Sequence, residues 1–275
     1  MLFVHSVKTQ DLLQKDLERA GICPGQNLIM HTSLKSVGKM EKGAETLAAA
    51  VLSTIGDSAN FLVPTFTYSL SGWKAEPFHR ENSTSRTGAF TEYLRKRPDA
   101  VRSVHPTHSV AVIGPDSNRI IANHLAATPL GINSPFYRMM ELDAVILMLG
   151  TRQDTNSSLH LCEVLAKIPY VNVGFTDDMD YELAWLMNAE NQIEFHPIRE
   201  IPGCSRGFTK IEPALKSAGV LHRAIIGNAE CQLLNLQELA EASRKILEEN
   251  PMLLLCDIPN CAICPRRRRF MQNLE

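Results

Sequence analysis

The sequence predicts a layered α/β domain. Short apolar runs of strand length, "NLIM", "SVAVIG" and "AVILMLG", alternate with longer amphipathic segments. The amphipathic segments carry helix start and stop residues, and the order strand–helix–strand–helix recurs. The 275 residues, 44% hydrophobic and 21% charged, suit one large globular unit with a sizeable core.

Each element follows from its own residues. "TQDLLQKDLERAG" opens on a capping hydroxyl at Thr9 and closes on Gly21, so it is expected to be a helix. "NLIM" reads as a short buried strand, and "HTSLKSVGKMEKG" as a polar loop. "AETLAAAVLSTIG" reads as a helix ending at Gly56, and "ANFLVPTFTY" as a strand cut by Pro64. Residues 71–90 form a long irregular excursion, and loops of that length are often functional. "TEYLRKRPD" reads as a short helix, "SVAVIG" as a strand, "NRIIANHLA" as a helix and "AVILMLG" as a strand. "SSLHLCEVLAKIP" is a further helix. The pattern weakens after residue 170, until "LQELAEASRKILEENP" gives a clear late helix. There is no internal repeat. The expectation is a single domain over 1–275 that ends in a Cys- and Arg-rich tail at 256–269.

A net charge of −2 points to neither nucleic acid nor an acidic membrane surface. No apolar run approaches membrane-spanning length. "MLFVHSVKTQD" has neither a basic leader nor a cleavage signature, so a cytoplasmic location is expected. In a reducing compartment the seven cysteines are expected as free thiols or metal ligands.

Two stretches carry candidate chemistry. In "LIMHTSLKSVGKMEKGAETLAAA", Thr32, Ser33 and Ser36 follow a buried strand and precede a helix. Hydroxyls, backbone N–H groups and a helix N-terminus together suit an anion, and Lys35, Lys39 and Lys42 add positive charge. The spacing is not that of a nucleotide P-loop, and an ordinary polar connection is the competing reading. In "TNSSLHLCEVLAKIP", His160 and Glu163 stand at i and i+3 and share a helix face. A histidine held by a carboxylate has a fixed tautomer, which suits a general base. A partly buried histidine on an amphipathic helix, paired with a surface glutamate, is the alternative.

Taken with "ANFLVPTFTY", "HPTHSVAVIGPD", "GINSPFYRM", "AVILMLG" and "IIGNAECQLLNLQELAEASRKIL", these stretches resemble the aminoglycoside 3-N-acetyltransferase family, also called the antibiotic N-acetyltransferases. The resemblance spans roughly residues 8–255. It implies a three-layer α/β/α fold with a central mixed sheet, distinct from the GNAT fold. It also implies transfer of acetyl from acetyl-coenzyme A to an amine, typically the 3-amino group of deoxystreptamine. By resemblance, Thr32, Ser33, Leu34, Lys35 and Ser36 belong to the coenzyme A site, His160 is the general base and Glu163 its partner. "HPTHSVAVIG" would lie beside the coenzyme and the active centre, with Ser109 bonding the coenzyme and either backbone N–H groups or the Thr107 hydroxyl stabilising the oxyanion. His108 would be a support residue. Arg138 would pair with a coenzyme phosphate or stay on the surface.

The implied partners are coenzyme A and a small amine, with no nucleic acid and no membrane; a homodimer is left open. The acceptor could instead be an amino sugar of a surface polysaccharide or a biosynthetic intermediate, because "IPGCSRGFTKIEPAL" departs from the resistance enzymes. Asp177, Asp178, Asp180, Glu182, Glu190 and Glu194 form an acidic stretch that would attract a polycation or simply be solvated. Trp73 and Glu76 are candidates for the entrance.

Cys256, Cys261 and Cys264 form a C-x4-C-x2-C set that is one ligand short of a structural zinc site; Cys204 or Cys231 would supply the fourth. Cys162 is expected in the core, and the arginines at 266–269 as a solvated tail. Two other classes compete. A hydrolase built on Ser109 lacks the glycine-flanked nucleophile elbow. A non-catalytic zinc scaffold would bind metal and no acyl donor.

Overall fold

The computed structural model describes residues 7–69, 76–175 and 182–274. Trp73, Asp177, Asp178 and Asp180 lie outside them.

The chain runs through α1 (Gln10–Arg19), β1 (Leu28–Thr32), α2 (Leu34–Val37), α3 (Ala44–Ile55), β2 (Phe61–Pro64), α4 (Ala89–Arg95), β3 (Val101–Arg102) and β4 (Val110–Ile113). It continues through α5 (Ser117–Ile121), α6 (Pro135–Glu141), β5 (Val145–Leu149) and α7 (Ser158–Leu165). The last part holds β6 (Glu182–Met187), β7 (Ile193–Ile198), α8 (Glu212–Ser217), β8 (His222–Ile226), β9 (Ala229–Asn235), α9 (Leu236–Glu249) and α10 (Cys264–Gln272). Seven strands form one mixed sheet in the order β3-β4-β2-β1-β5-β9-β8. β1 runs parallel to β2 and β5, and the other pairings are antiparallel. β6 and β7 form a separate hairpin.

Strand periodicity divides the core into two layers. Leu28 and Met30 of β1, with Leu147 and Leu149 of β5, face a layer that includes Leu13, Leu17, Leu47 and Val51. Ile29, Ile146 and Met148 face the opposite layer, which includes Phe136, Leu159, Leu161 and Leu239. Helices therefore cover both faces, and the expected three-layer fold is the one observed. Central strands buried on both faces read as unbroken apolar runs, which is why "NLIM" and "AVILMLG" were legible.

The structure amends several expectations. The loop at 31–43 contains the short helix α2. "NRIIANHLA" is not one helix: α5 stops at Ile121, Asn123 takes φ +54°, and a 3-10 turn follows at His124–Ala126. The weakly patterned region after 170 supplies two strands of the main sheet. Polar residues hid them: Gln232 on β9 is buried and accepts a 2.8 Å hydrogen bond from Gln153, and β8 is an exposed edge. The arginines at 266–269 lie on α10, not on a solvated tail. Arg267 is buried, donates to Ile201 O at 2.7 Å and lies over the Tyr170 ring.

Candidate active site

The central cavity opens at the C-terminal ends of β1, β2 and β5, where crossovers leave towards opposite faces of the sheet. Open α/β sheets bind ligands at such switch points. Its volume is about 350 Å³, and the lining includes Thr32, Thr107, His108, Thr151 and His160.

α7 positions the central pair. Its eight residues bury Leu159, Leu161 and Cys162 in the core. That rotation brings His160 to the cavity wall. One turn on, Glu163 Oε2 lies 2.7 Å from His160 Nδ1, and both side chains are nearly sealed from solvent. Tyr170, seven residues beyond Glu163, donates its hydroxyl to Glu163 Oε1 at 2.7 Å. Phe208 packs edge-on against the imidazole at 4.7 Å. Burial alone would push the Glu163 carboxyl up. The hydrogen bond and charge of His160, the nearby Arg267 and the Tyr170 hydroxyl outweigh it and hold the carboxyl below the usual range. Glu163 is thus a buried carboxylate that fixes the ring through Nδ1, leaving Nε2 to the cavity.

"HPTH" forms the facing wall as a tight turn. His105 Nδ1 accepts the backbone N–H groups of Thr107 at 3.3 Å and His108 at 3.0 Å, so it holds the turn's shape. His108 Nδ1 lies 2.8 Å from Thr107 Oγ1, and its ring packs on Phe66 and Tyr68. Burial, and after it the charge of neighbouring histidines, keeps both rings well below an ordinary histidine pKa. They are weak bases at neutral pH, which leaves His160 as the stronger candidate.

The 32–36 segment stands between two clefts. Thr32 lines the central cavity, Ser36 lines a neighbouring cleft with Arg152 and Arg223, and Thr151 lines both. Ser33 and Ser36 hydroxyls are 2.8 Å apart, and Ser36 also reaches Gly150 O. Gly150 permits this contact: at φ +67°, an added Cβ would stand 2.5 Å from Ser36 Cβ. Thr32 Oγ1 and His31 Nε2 are buried without a hydrogen-bond partner among the described residues. Unsatisfied buried polar atoms on a cavity wall suit a ligand that brings its own polar groups. Leu34 and Lys35 sit on α2, with Lys35 exposed.

Two sequence-derived candidates are corrected. Ser109 does not line either cleft. It is fully buried, donates to Thr65 O at 2.8 Å and accepts from Arg102 Nε at 3.2 Å, so it fastens the sheet. Arg138 lines neither cleft; its Nη1 donates to the carbonyls of Arg119, Ile120 and Ala122, at the end of α5. Glu76 is exposed and is not among the lining residues. Of the described acidic stretch, Glu182 lines the cavity, whereas Glu190 and Glu194 lie exposed on the hairpin.

Sequence reasoning missed His31, Tyr170 and Asp154. His31 stood first in the stretch read as a polar loop, whereas it belongs to β1; it lines the cavity, and burial pushes it down to about 4. Tyr170 lies past the helix end, in "KIPY", where no periodicity links it to Glu163. Asp154, on a 3-10 turn before α7, adds a second carboxylate to the wall.

Among the described residues, one group of metal-ligating side chains comes together, outside the cavity: Cys204, Cys256, Cys261 and Cys264. Cys231 belongs to the opposite core layer and is not near them. Cys162 is core, as expected, and burial raises its thiol to about 12.

The chain is similar to known acetyltransferases in sequence and in fold. The family model described as aminoglycoside 3-N-acetyltransferase matches residues 29–248. An aminoglycoside N(3)-acetyltransferase IV of Salmonella sp is 29% identical over 86% of this chain and 85% of its own length. An aminoglycoside N(3)-acetyltransferase VII of Streptomyces paromomycinus is 27% identical over 88% of this chain and 92% of its own. The crystal structure of the aminoglycoside acetyltransferase AAC(3)-IVa apoenzyme superposes with a TM-score of 0.84 at 25% identity, covering 98% of this chain and 99% of that one. The same scores hold for a histidine-to-alanine mutant of that enzyme in complex with a gentamicin.

Proposed function

Because the chain belongs to the aminoglycoside 3-N-acetyltransferase family, a family of acyltransferases, we propose that it transfers the acetyl group of acetyl-coenzyme A to the 3-amino group of an aminoglycoside's deoxystreptamine ring. The observation that carries the mechanism is the buried Tyr170–Glu163–His160 chain ending on the cavity.

The acceptor amine arrives protonated and must lose a proton to attack. His160 Nε2 takes it, and Glu163 stabilises the imidazolium that forms. The nitrogen lone pair then forms a bond to the thioester carbonyl carbon. We assign His108 the tautomer that donates from Nδ1 to Thr107 Oγ1. The Thr107 hydroxyl hydrogen then turns from His105 Nδ1, 3.3 Å away, to the carbonyl oxygen as negative charge builds there. The C–S bond breaks as the coenzyme takes the proton from His160 and leaves as a thiol, and the remaining extra proton on the new amide nitrogen passes to the freed His160 Nε2 and on to solvent. No step passes through Cys162, whose buried thiol has no route to a thiolate at neutral pH.

The two clefts suit the two substrates. The coenzyme's thioester end reaches the central cavity past Thr32, and its anionic end lies towards Ser36 and the exposed Arg152 and Arg223, whose charge is shared with Glu212. Lys35, at the exposed end of the same segment, adds to that charge. Asp154 and Glu182 face the central cavity and suit the other ammonium groups of a polycationic acceptor.

The test is a rate of coenzyme A thiol release with gentamicin or apramycin, followed by NMR of the product. Acetyl at the 3-amino nitrogen, lost in His160→Ala while acetyl-coenzyme A still binds, supports the reading. Release with no aminoglycoside but with a simple amino sugar would overturn the acceptor. No acetyl-coenzyme A binding by calorimetry would overturn the transfer itself.

A further inference from the structure

The cysteines that the proposed mechanism does not use converge on one point. Cys204 lies on the connection that follows β7, Cys256 follows α9, Cys261 closes a turn, and Cys264 begins α10. Their four sulfurs all lie within 4.8 Å of one another. Cys204 Sγ and Cys256 Sγ are 3.8 Å apart. A tetrahedral zinc with Zn–S bonds of about 2.3 Å sets its sulfurs about 3.8 Å apart. A disulfide would need about 2.05 Å and would engage the sulfurs only in pairs. We propose that Cys204, Cys256, Cys261 and Cys264 bind one structural zinc ion, which pins the 201–205 wall of the cavity to the C-terminal segment.

The surroundings are those of a closed thiolate site. Arg206 N–H donates to Cys204 Sγ and Cys256 N–H to Cys264 Sγ, both at 3.4 Å, so backbone dipoles already point at two sulfurs. Four thiolates around Zn²⁺ leave a net negative charge. Cations stand close by: Arg268 donates to Cys256 O at 2.9 Å, and Lys210 donates to Leu255 O at 2.8 Å. Cys256 and Cys264 are buried, which closes the site to a catalytic water. An all-sulfur tetrahedral set selects zinc or an iron–sulfur centre among common metals, and a C-x2-C turn feeding a closed, buried set is the structural-zinc pattern.

The position gives the ion a task. Gly203 and Ser205, on either side of Cys204, both line the central cavity. Gly203 lies on Arg267, so closely that an added Cβ would be 2.6 Å from Nη1. This wall carries little secondary structure between Ile198 and Phe208. A metal ligand in its middle would fix what the backbone ladder does not. The site stands on its own geometry and does not depend on the acetyl-transfer reading.

The test uses the full chain, expressed and purified in zinc-supplemented, chelator-free buffer. Metal analysis is expected to find about one zinc per chain. Blocking thiols stepwise with an organomercurial is expected to release that zinc to a colorimetric indicator as about four thiols are consumed. Cys261→Ser, at the more exposed rim, is expected to lose zinc and lower Tm, with Cys23→Ser, exposed and remote, as a control that keeps both. Zinc far below stoichiometric in the wild-type chain would overturn the proposal, as would zinc undiminished in Cys204→Ser and Cys261→Ser. Iron in its place would overturn the zinc assignment. Because the wild-type measurement needs no variant to fold, a misfolded variant does not shield the proposal.

Discussion

Replacing Glu163 with glutamine removes a charge and keeps the shape. Glu163 Oε2 sits 2.7 Å from His160 Nδ1, and the pair is buried. At a separation of roughly 4 Å and an effective dielectric of about 20, the carboxylate stabilises a full imidazolium by about 4 kcal/mol. That corresponds to about three decades in rate. Only the charge already formed on His160 in the transition state counts, so Glu163→Gln is expected to lower kcat/KM by about 10²- to 10³-fold. The glutamine amide can also present its NH₂ to Nδ1 and stabilise the wrong tautomer, which acts in the same direction. The assay is coenzyme A thiol release at saturating donor across a range of acceptor concentrations. Calorimetric donor binding and thermal unfolding serve as controls. If Glu163→Gln stays within about fivefold of wild type, with donor binding intact, His160 does not develop charge against this carboxylate, and its assignment as the base is wrong.

Further outcomes follow from the same geometry. Tyr170→Phe removes a 2.7 Å hydrogen bond to the buried Glu163 carboxylate and is expected to cost about 1.5–3 kcal/mol in denaturant unfolding. His31 and His124 are buried, and burial pushes both down from 6.5 to about 4. The unfolded chain therefore binds a proton at each below pH 6.5 that the folded chain refuses until about pH 4. The stability is present in full above pH 6.5 and falls by about 3 kcal/mol per histidine as pH drops towards 4, with His105 and His108 adding in the same direction. Urea midpoints measured between pH 7 and 4.5 check this; a flat profile would contradict it. Glu182→Gln is expected to raise the acceptor KM by about tenfold with kcat little changed, since it takes one attractive charge from the cavity wall. Gly150→Ala forces a side chain into φ +67° and against Ser36, and is expected to cost about 1–3 kcal/mol and weaken donor binding, read by thermal unfolding and calorimetry.

The legible parts of the sequence were those whose signal is local. β1 and β5 are apolar because both faces are covered, and Thr9 does cap α1, accepting from Leu12 N–H. His160 and Glu163 were legible because a helix places i and i+3 side by side. Tyr170 was not, because it reaches Glu163 from beyond the helix end, across a turn at Lys167 with φ +55°. β9 was obscured by Gln232, a buried polar residue whose partner, Gln153, is 79 positions away. Ser109 and Arg138 illustrate the opposite error. Both are polar residues in quoted motifs, and both donate to backbone carbonyls distant in sequence that no local pattern reveals.

The C-terminal arginines show how far composition can mislead about a tail. A run of four cations reads as solvated because a buried charge needs a full set of partners, and sequence does not display them. The fold supplies them to Arg267. Ile201 O and Val173 O accept from its guanidinium, the Tyr170 ring lies against it, and its charge helps hold Glu163 ionised. It also packs beneath Gly203, on the wall that Cys204 interrupts. One side chain thus touches both the cavity wall and Tyr170, the residue that hydrogen-bonds the Glu163 carboxylate. Arg267 begins the second turn of α10, a helix opened by Cys264. Anchoring that helix therefore bears directly on the electrostatics behind His160, and the segment that looked most dispensable in the sequence is part of the support of the site.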